Sequence, residues 1–292
     1  MNIRFLRTFC VVADKGSLAA AARHLGLANA SVAEQIRALE KTLGATLTVR
    51  RGQGIALTDA GQAVLGSARQ IVAQADDLHQ VAQAGSLRGR LRVGAISTAL
   101  ISLMPRALQR LADEHPDIEM KVVPGTSAGL LTMLDYGEID CALAVRPPFK
   151  LPKTLSWQSV RNEPLVFVAP PSDPSLSIAA RLRGGPFIRM DRNAWTGQIV
   201  SKFLAERKLE LRELFELDAP ETIVILAAEG LGVSLLPDWG IVPPVGRALD
   251  IKPVDDDGRH GREVGIIGHR GPAEALISAF GAMLREPKPA SY

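Results

Sequence analysis

Two loops rich in hydroxyl side chains offer the most direct chemistry in this chain. One is Ile96-Ser97-Thr98-Ala99, the other Pro124-Gly125-Thr126-Ser127. Each follows a strand-like apolar run and leads into a helical one. Helix starts carry unpaired N–H groups and the positive end of the dipole, so both loops suit an anion. In a parallel sheet such ends point to one crevice. The expectation is a small carboxylate held by Ser97, Thr98, Thr126 and Ser127. Arg146, just past a strand end, would supply a counter-charge, or else is a solvated loop residue. Arg189-Met190-Asp191, Trp195 and Thr222 would face the ligand across the cleft. The competing reading is that each hydroxyl simply caps its own helix.

The stretch Gly125-Thr126-Ser127-Ala128-Gly129 also fits G-x-S-x-G between a strand and a helix, where a hydrolase nucleophile would sit. His260 and His269 follow it. A serine hydrolase using residues 125–129 is therefore the alternative function, although it leaves the N-terminal pattern unexplained. His24, His79, His115, His260 and His269 show no metal-ligand spacing. Without a P-loop or G-x-G-x-x-G, no nucleotide cofactor is expected, and no other cofactor either.

A second chemistry lies near the N-terminus. Ser17 to Gly26 is a small-residue helix, Leu27-Ala28-Asn29-Ala30 a tight turn, and Ser31 to Glu40 an amphipathic helix. Ser17 is a plausible N-cap, and Ala19 to Ala22 let two helices approach closely. In the next helix Val32, Ile36, Leu39 and Leu43 recur at helical spacing as a buried stripe. The outward face carries Ala30, Glu34, Arg37 or Ala38, and Lys41. This pattern fits a helix-turn-helix, whose second helix enters the DNA major groove. Thr46–Arg50 and Ile55–Thr58 flank Arg51-Gly52-Gln53-Gly54, a cationic hairpin able to reach backbone phosphates. Asn29, Ser31, Glu34 and Arg37 are the expected base readers, and Arg50 and Arg51 the backbone contacts. Ser17 joins the DNA-facing set. Arg37 could instead pair with Glu34 or Glu40.

Charge agrees with this reading. Residues 1–58 hold eight cations against three anions, +5, while the whole chain is +3. A basic end on a mildly acidic body is the footprint expected when one small domain meets phosphate.

The chain has 292 residues, 47% of them hydrophobic, enough for about two domains. Cys10 and Cys141 lie in apolar surroundings without a C-x-x-C pair, which suggests reduced thiols in a cytoplasmic protein. Charges interrupt every early apolar run, and no uncharged stretch could span a bilayer, so no membrane is expected. From Thr58-Asp59 a helix is expected to about Ala84. Val64, Ala68, Ile71, Ala75, Leu78 and Ala82 form a seam suited to pairing with a second chain. Gly85–Arg90 reads as a hinge. Strands and helices then alternate: strand 91–96, helix 100–114, strand 118–123, helix 128–136 and strand 140–145, an order that argues for a parallel sheet. A further α/β portion follows, with elements at 165–169, 197–207, 213–217, 222–229, 233–237, 263–268 and 273–284.

On these residues the chain resembles the LysR-type transcriptional regulators over nearly its whole length. The likeness is strongest at Arg4–Phe9, Gly16–Leu18, Ala21–Leu25, Gln35–Glu40, Leu43-Gly44 and Leu57–Gly61. Gly137–Asp140 and Gly230–Pro237 add to it. The resemblance implies an α+β multidomain protein. A winged helix-turn-helix at 1–58 would be followed by a linker/dimerisation helix at 59–87. A bilobed α/β effector domain of the type II periplasmic-binding-protein fold would occupy 91–292. Lobe one would be about 91–162 and 263–292, lobe two about 163–262. It further implies a double-stranded DNA operator, a small-molecule effector between the lobes, a homodimer or homotetramer, and RNA polymerase as a partner. The reading helix departs from the family at Ala28, Ala30, Ala33 and Glu34. Loss of Pro removes a preorganised first turn. Glu34 reverses a charge; it can accept from cytosine N4 but repels phosphate. The operator sequence therefore does not carry over.

Overall fold

The computed structural model describes residues 1–52, 54–81, 89–173, 175–255, 258–271 and 273–285. It divides into two units, Met1–Gly89 with Thr132–Ile139, and Arg90–Leu131 with Asp140–Tyr292.

The first unit begins with α1 (Ile3–Lys15), α2 (Leu18–Leu25) and α3 (Asn29–Leu43). Asn2 starts α1 by accepting the Arg4 N–H at 3.0 Å, and Ser17 starts α2 by accepting that of Ala20 at 3.5 Å. Leu6, Phe9 and Val12 of α1 pack on Ala21 and Ala22 of α2 and on Val32, Ile36 and Leu39 of α3. The alanines keep α2 close because nothing larger intervenes. Leu43 does not complete the stripe: it is 38% exposed. It is the last residue of α3, and the chain turns away at Gly44 before a wall can cover it.

The wing is β1 (Thr48–Arg51) paired antiparallel with β2 (Gly54–Leu57), Thr48 opposite Leu57 and Arg51 opposite Gly54. Glu40 of α3 anchors it. One carboxylate oxygen accepts the N–H groups of Leu47 at 2.8 Å and Thr48 at 3.1 Å, and the Thr48 hydroxyl at 3.2 Å. On the other side the Ile55 N–H donates to the Gly16 carbonyl at 2.8 Å.

Helix α4 (Asp59–Val81) explains the run Thr58-Asp59-Ala60-Gly61. The Thr58 hydroxyl accepts the Gly61 N–H at 3.0 Å, a cap for the helix start. A Cβ at Gly61 would stand 2.1 Å from the Leu47 carbonyl oxygen, so only glycine lets α4 pass the wing so closely. The first half of the expected intermolecular seam packs in part on its own domain. Val64, Ala68 and Ile71, with Leu65 and Val72, pack on the core of their own domain. Arg69 pairs with Asp14 of α1. The Leu78 side chain, Ala82 and the hinge residues 85–88 lie outside the described residues.

The second unit takes in β3 (Gly89–Ala95) from Arg90, α5 (Ser97–Ser102), α6 (Met104–Glu114), β4 (Ile118–Pro124), α7 (Ser127–Asp135) as far as Leu131, β5 (Cys141–Val145) and the long β6 (Leu155–Ala169). It continues through α8 (Ile178–Gly184), β7 (Phe187–Met190), α9 (Trp195–Glu206), β8 (Glu213–Leu217), α10 (Pro220–Ala228), β9 (Ser234–Pro237), β10 (Asp250–Pro253), β11 (Gly261–His269) and α11 (Glu274–Leu284). The single helix expected over 100–114 is two helices. Pro105 has no N–H to donate, so it sits in the first turn of a new helix rather than inside an old one.

The sheet is mixed rather than parallel. β3 and β5 run parallel, but β11 lies antiparallel to both β5 and β6. The order is β10-β6-β11-β5-β3-β4, with β9 also on β6. β6 makes the bilobed shape. Its first ten residues, to Pro164, pair with β11; Leu165–Ala169 pair with β9 and β10. β7 and β8 form a parallel pair beside Val233 in the second lobe. That lobe's core includes Phe167, Phe187, Ile188, Phe203, Leu235 and Trp239.

Candidate functional site

A cleft of about 340 Å³ lies between the two lobes of the second unit. One wall is made where β3 gives way to α5 and β4 to α7. These turns bring Ser97, Thr98, Thr126 and Ser127 together, as their place after strands led us to expect. The opposite wall comes from the β7–α9 loop, with Met190, Asp191, Asn193, Trp195 and Thr196, and from Asp218 and Pro220 ahead of α10. A Cβ at Gly197 would fall 1.8 Å from the Asp191 carbonyl oxygen. Only glycine therefore lets the loop curl back onto the first turn of α9 and present its side chains to the cleft.

Each hydroxyl also has a structural partner. Thr126 accepts the Gly129 N–H at 3.1 Å and so caps α7. Ser127 accepts the Val145 N–H at 3.1 Å. Ser97 donates to Glu221 at 3.0 Å. Buried Thr98 accepts from Arg262 at 2.7 Å.

Two expected residues stand elsewhere. Arg146 is absent from the cleft wall because its guanidinium pairs with Glu263 at 2.7 Å and lies over Trp157. Thr222 is absent because α10 starts at Pro220, which puts Thr222 inside the helix. Arg189 also turns away, toward Glu213 at 2.8 Å and Ser201 at 2.7 Å.

The residue that sequence reasoning missed is Arg262 of β11. It is buried, its Nε donates to Glu163 at 2.7 Å, and its terminal nitrogens donate to Thr196 at 3.1 Å and Thr98 at 2.7 Å. It thus joins the two walls. Burial pushes the Arg262 pKa down, against the pull of Glu163. Asp218 is shifted upward by burial and by the nearby carboxylates of Asp191 and Glu221. Asp218-Ala219-Pro220 is a helix-start signature that could have directed attention to Asp218.

The hydrolase alternative gains no support from this geometry. Among the described residues no histidine lines the cleft, and His260 lies between Asp255 and Glu206, 2.8 Å from the latter. Among the described residues, no group of three or more His, Cys, Asp or Glu could hold a metal, and no helix is long and apolar enough to cross a membrane.

In the first unit a second concavity, about 610 Å³, runs between the start of α3 and the wing. It gathers Ser17, Asn29 and Arg50 with Ala30, Ala33 and Ile55. Glu34 and Arg37 are exposed on the same helix, Ser31 is half-buried and Arg51 is exposed on the wing. Arg37 donates to the Ala33 carbonyl at 3.3 Å, while Glu40 is occupied by the wing, so the alternative Arg37–Glu40 pair is not formed. Among the described residues, Arg50 and Arg51 have no ion pair.

Comparison with known proteins bears on both sites. Residues 3–62 match the bacterial regulatory helix-turn-helix protein, lysR family, and residues 84–287 match the LysR substrate binding domain. The HTH-type transcriptional regulator IlvR of Caulobacter vibrioides is 31% identical over 81% of this chain and 82% of its own. IlvY of Escherichia coli is 30% identical over 82% of each. Among solved structures, full-length OxyR from Pseudomonas aeruginosa covers 99% of this chain and 96% of its own with a TM-score of 0.79 and 22% identity. Full-length CbnR in complex with its target DNA covers 97% and 99% with a TM-score of 0.64 and 21% identity.

Proposed function

Because the chain belongs to the LysR-type transcriptional regulators, we propose that residues 1–58 grip an operator and residues 91–292 report a small acid. Asn29, Ser31, Glu34 and Arg37 meet base edges, Ser17 and Arg50 line the groove, and Arg51 holds phosphate. The effector sits among Ser97, Thr98, Thr126 and Ser127, with Thr196 and Arg262 added by the geometry. Residues 59–87 pair two chains, in a homodimer or a homotetramer. The lobes are residues 91–162 with 263–292 and residues 163–262. A ligand that prefers one arrangement of these lobes shifts the balance of DNA-bound states by its difference in affinity for them. RNA polymerase, met at the promoter in the cytoplasm, is the further partner. The cleft acts as a binding site, with the Ser127 hydroxyl engaged by the Val145 N–H.

The observation that carries the DNA reading is the groove between α3 and the wing, lined by Arg50, which has no carboxylate opposing it among the described residues. Binding of the full chain to duplex from beside its own gene tests it, measured over a range of salt. Arg51→Ala should weaken all duplexes alike and reduce the salt slope by about one. An unchanged slope refutes the phosphate role, and absence of binding to any duplex refutes the operator reading.

A further inference from the structure

We propose that the effector is dipolar, with a protonated amine against Asp191 and Asp218 and an acid group against Arg262. This rests on the cleft being the effector site and goes on to the chemistry of its two walls.

The cleft lining carries a cation and two carboxylates. The Arg161 and Arg262 guanidiniums share one buried carboxylate, Glu163. A guanidinium has five N–H donors. Arg262 spends one on Glu163, one on Thr196 and one on Thr98. Two remain on a group only 5% exposed that lines the cavity. A buried, under-compensated guanidinium calls for an acceptor, best a carboxylate, which can take two parallel N–H bonds. The carboxylates in the lining are Asp191 and Asp218, with Glu221 near enough to raise the Asp218 pKa. Asp191 accepts the Asn193 N–H through one oxygen and no cation of the described residues pairs with it. Asp218 has neither a hydrogen bond nor an ion pair among the described residues. Burial, with repulsion from Asp191 and Glu221 added to it, pushes its pKa up, the direction expected of a carboxylate that lacks a cation.

A simple acid would satisfy Arg262 and leave Asp218 uncompensated, and a diacid would add a third repulsion. An ammonium donates three N–H bonds and neutralises that wall. A cavity of about 340 Å³ is of a size for a small amino acid rather than for a larger conjugate.

The test is calorimetric titration of the full chain with the common L-amino acids, each beside its α-hydroxy analogue. At least one amino acid should bind, with its hydroxy analogue about tenfold weaker or more. Asp218→Asn should remove that preference while leaving the hydroxy acid unaffected or slightly improved. Ala128→Trp, which fills the cleft, should abolish binding of both. The proposal is overturned if no amino acid binds, if the hydroxy analogue binds as tightly, or if Asp218→Asn leaves the preference intact. The two levels separate cleanly. Binding that survives Ala128→Trp removes the cleft reading along with the proposal. Binding lost in Ala128→Trp but indifferent to Asp218→Asn removes only the amine.

Discussion

Glu163→Gln is the sharpest perturbation of the cleft. Glu163 is 1% exposed and Arg262 5% exposed, and their bond measures 2.7 Å. Arg161 bonds the same carboxylate. Glutamine keeps the shape and removes the charge, leaving two guanidiniums against a neutral amide. Breaking a buried pair by neutralising one partner costs about 3–5 kcal/mol, because the other charge is left uncompensated. That is a large share of an ordinary domain's stability of about 5–15 kcal/mol. Replacing both partners, as in Glu163→Gln/Arg262→Met, removes the buried cation as well and should recover at least about 2 kcal/mol of the loss. Trp157, Trp195 and Trp239 are the chain's three tryptophans and all lie in the second unit. Urea unfolding followed by tryptophan fluorescence therefore reads this unit alone. The reasoning fails if Glu163→Gln costs less than about 1 kcal/mol, or if the double variant is as unstable as the sum of the singles.

Three further outcomes follow from other elements. Glu40→Gln weakens three bonds that fix the wing on α3; it should cost about 2 kcal/mol and loosen operator binding, measured by chemical unfolding and DNA titration. Gly197→Ala forces the Asp191 carbonyl aside, so effector affinity should fall while DNA affinity without effector stays unchanged. Burial pushes the Cys10 thiol from 9.0 up to about 11, eased by Arg69 and reinforced by Asp14, and pushes Cys141 up as well. Both thiols should therefore resist iodoacetamide at pH 8 in the folded chain and react once it is unfolded in urea. A raised thiol pKa stabilises the fold fully below the ordinary value of 9.0 and is lost as pH climbs through about 11, so thermal stability should fall across that window.

The helix-turn-helix was legible because its signals are local. Ser17, the alanines after it and the periodic Val32, Ile36 and Leu39 each state their role within a few residues. The serine and threonine loops were legible for the same reason, since a loop between strand and helix declares its own geometry. The first half of β6 was not. Ser156 to Asn162 alternates weakly and is only half-buried, so it lacks the apolar contrast that marks a strand. The seam of α4 is divided. Its spacing is correct for a helix interface, but periodicity does not say which partner covers it: Ala68 is buried in its own domain, while Val64 and Ile71 pack against that domain and stay half-buried.

Arg262 marks the deeper limit. An arginine at the start of an apolar strand ordinarily reads as a solvated end. It is buried because Glu163, Thr98 and Thr196 converge on it from three other segments, separated by 99, 164 and 66 positions. No local pattern encodes that convergence; only the crossing of β6 beside β11 produces it. Arg146 shows the converse. It has the right type and stands past a strand end, yet Glu263 and Trp157 hold it on the outer side. Arg262 bonds Thr98 on one wall of the cleft and Thr196 on the other, whereas, among the described residues, Arg146 bonds only Glu263. That bridging, rather than residue type, is why Arg262 is expected to transmit effector binding from one lobe to the other. Arg262→Lys keeps the charge but cannot reach Glu163, Thr196 and Thr98 together. It should therefore uncouple effector binding from DNA affinity, measured by titrating DNA with and without effector. Full retention of the coupling would assign transmission to another residue.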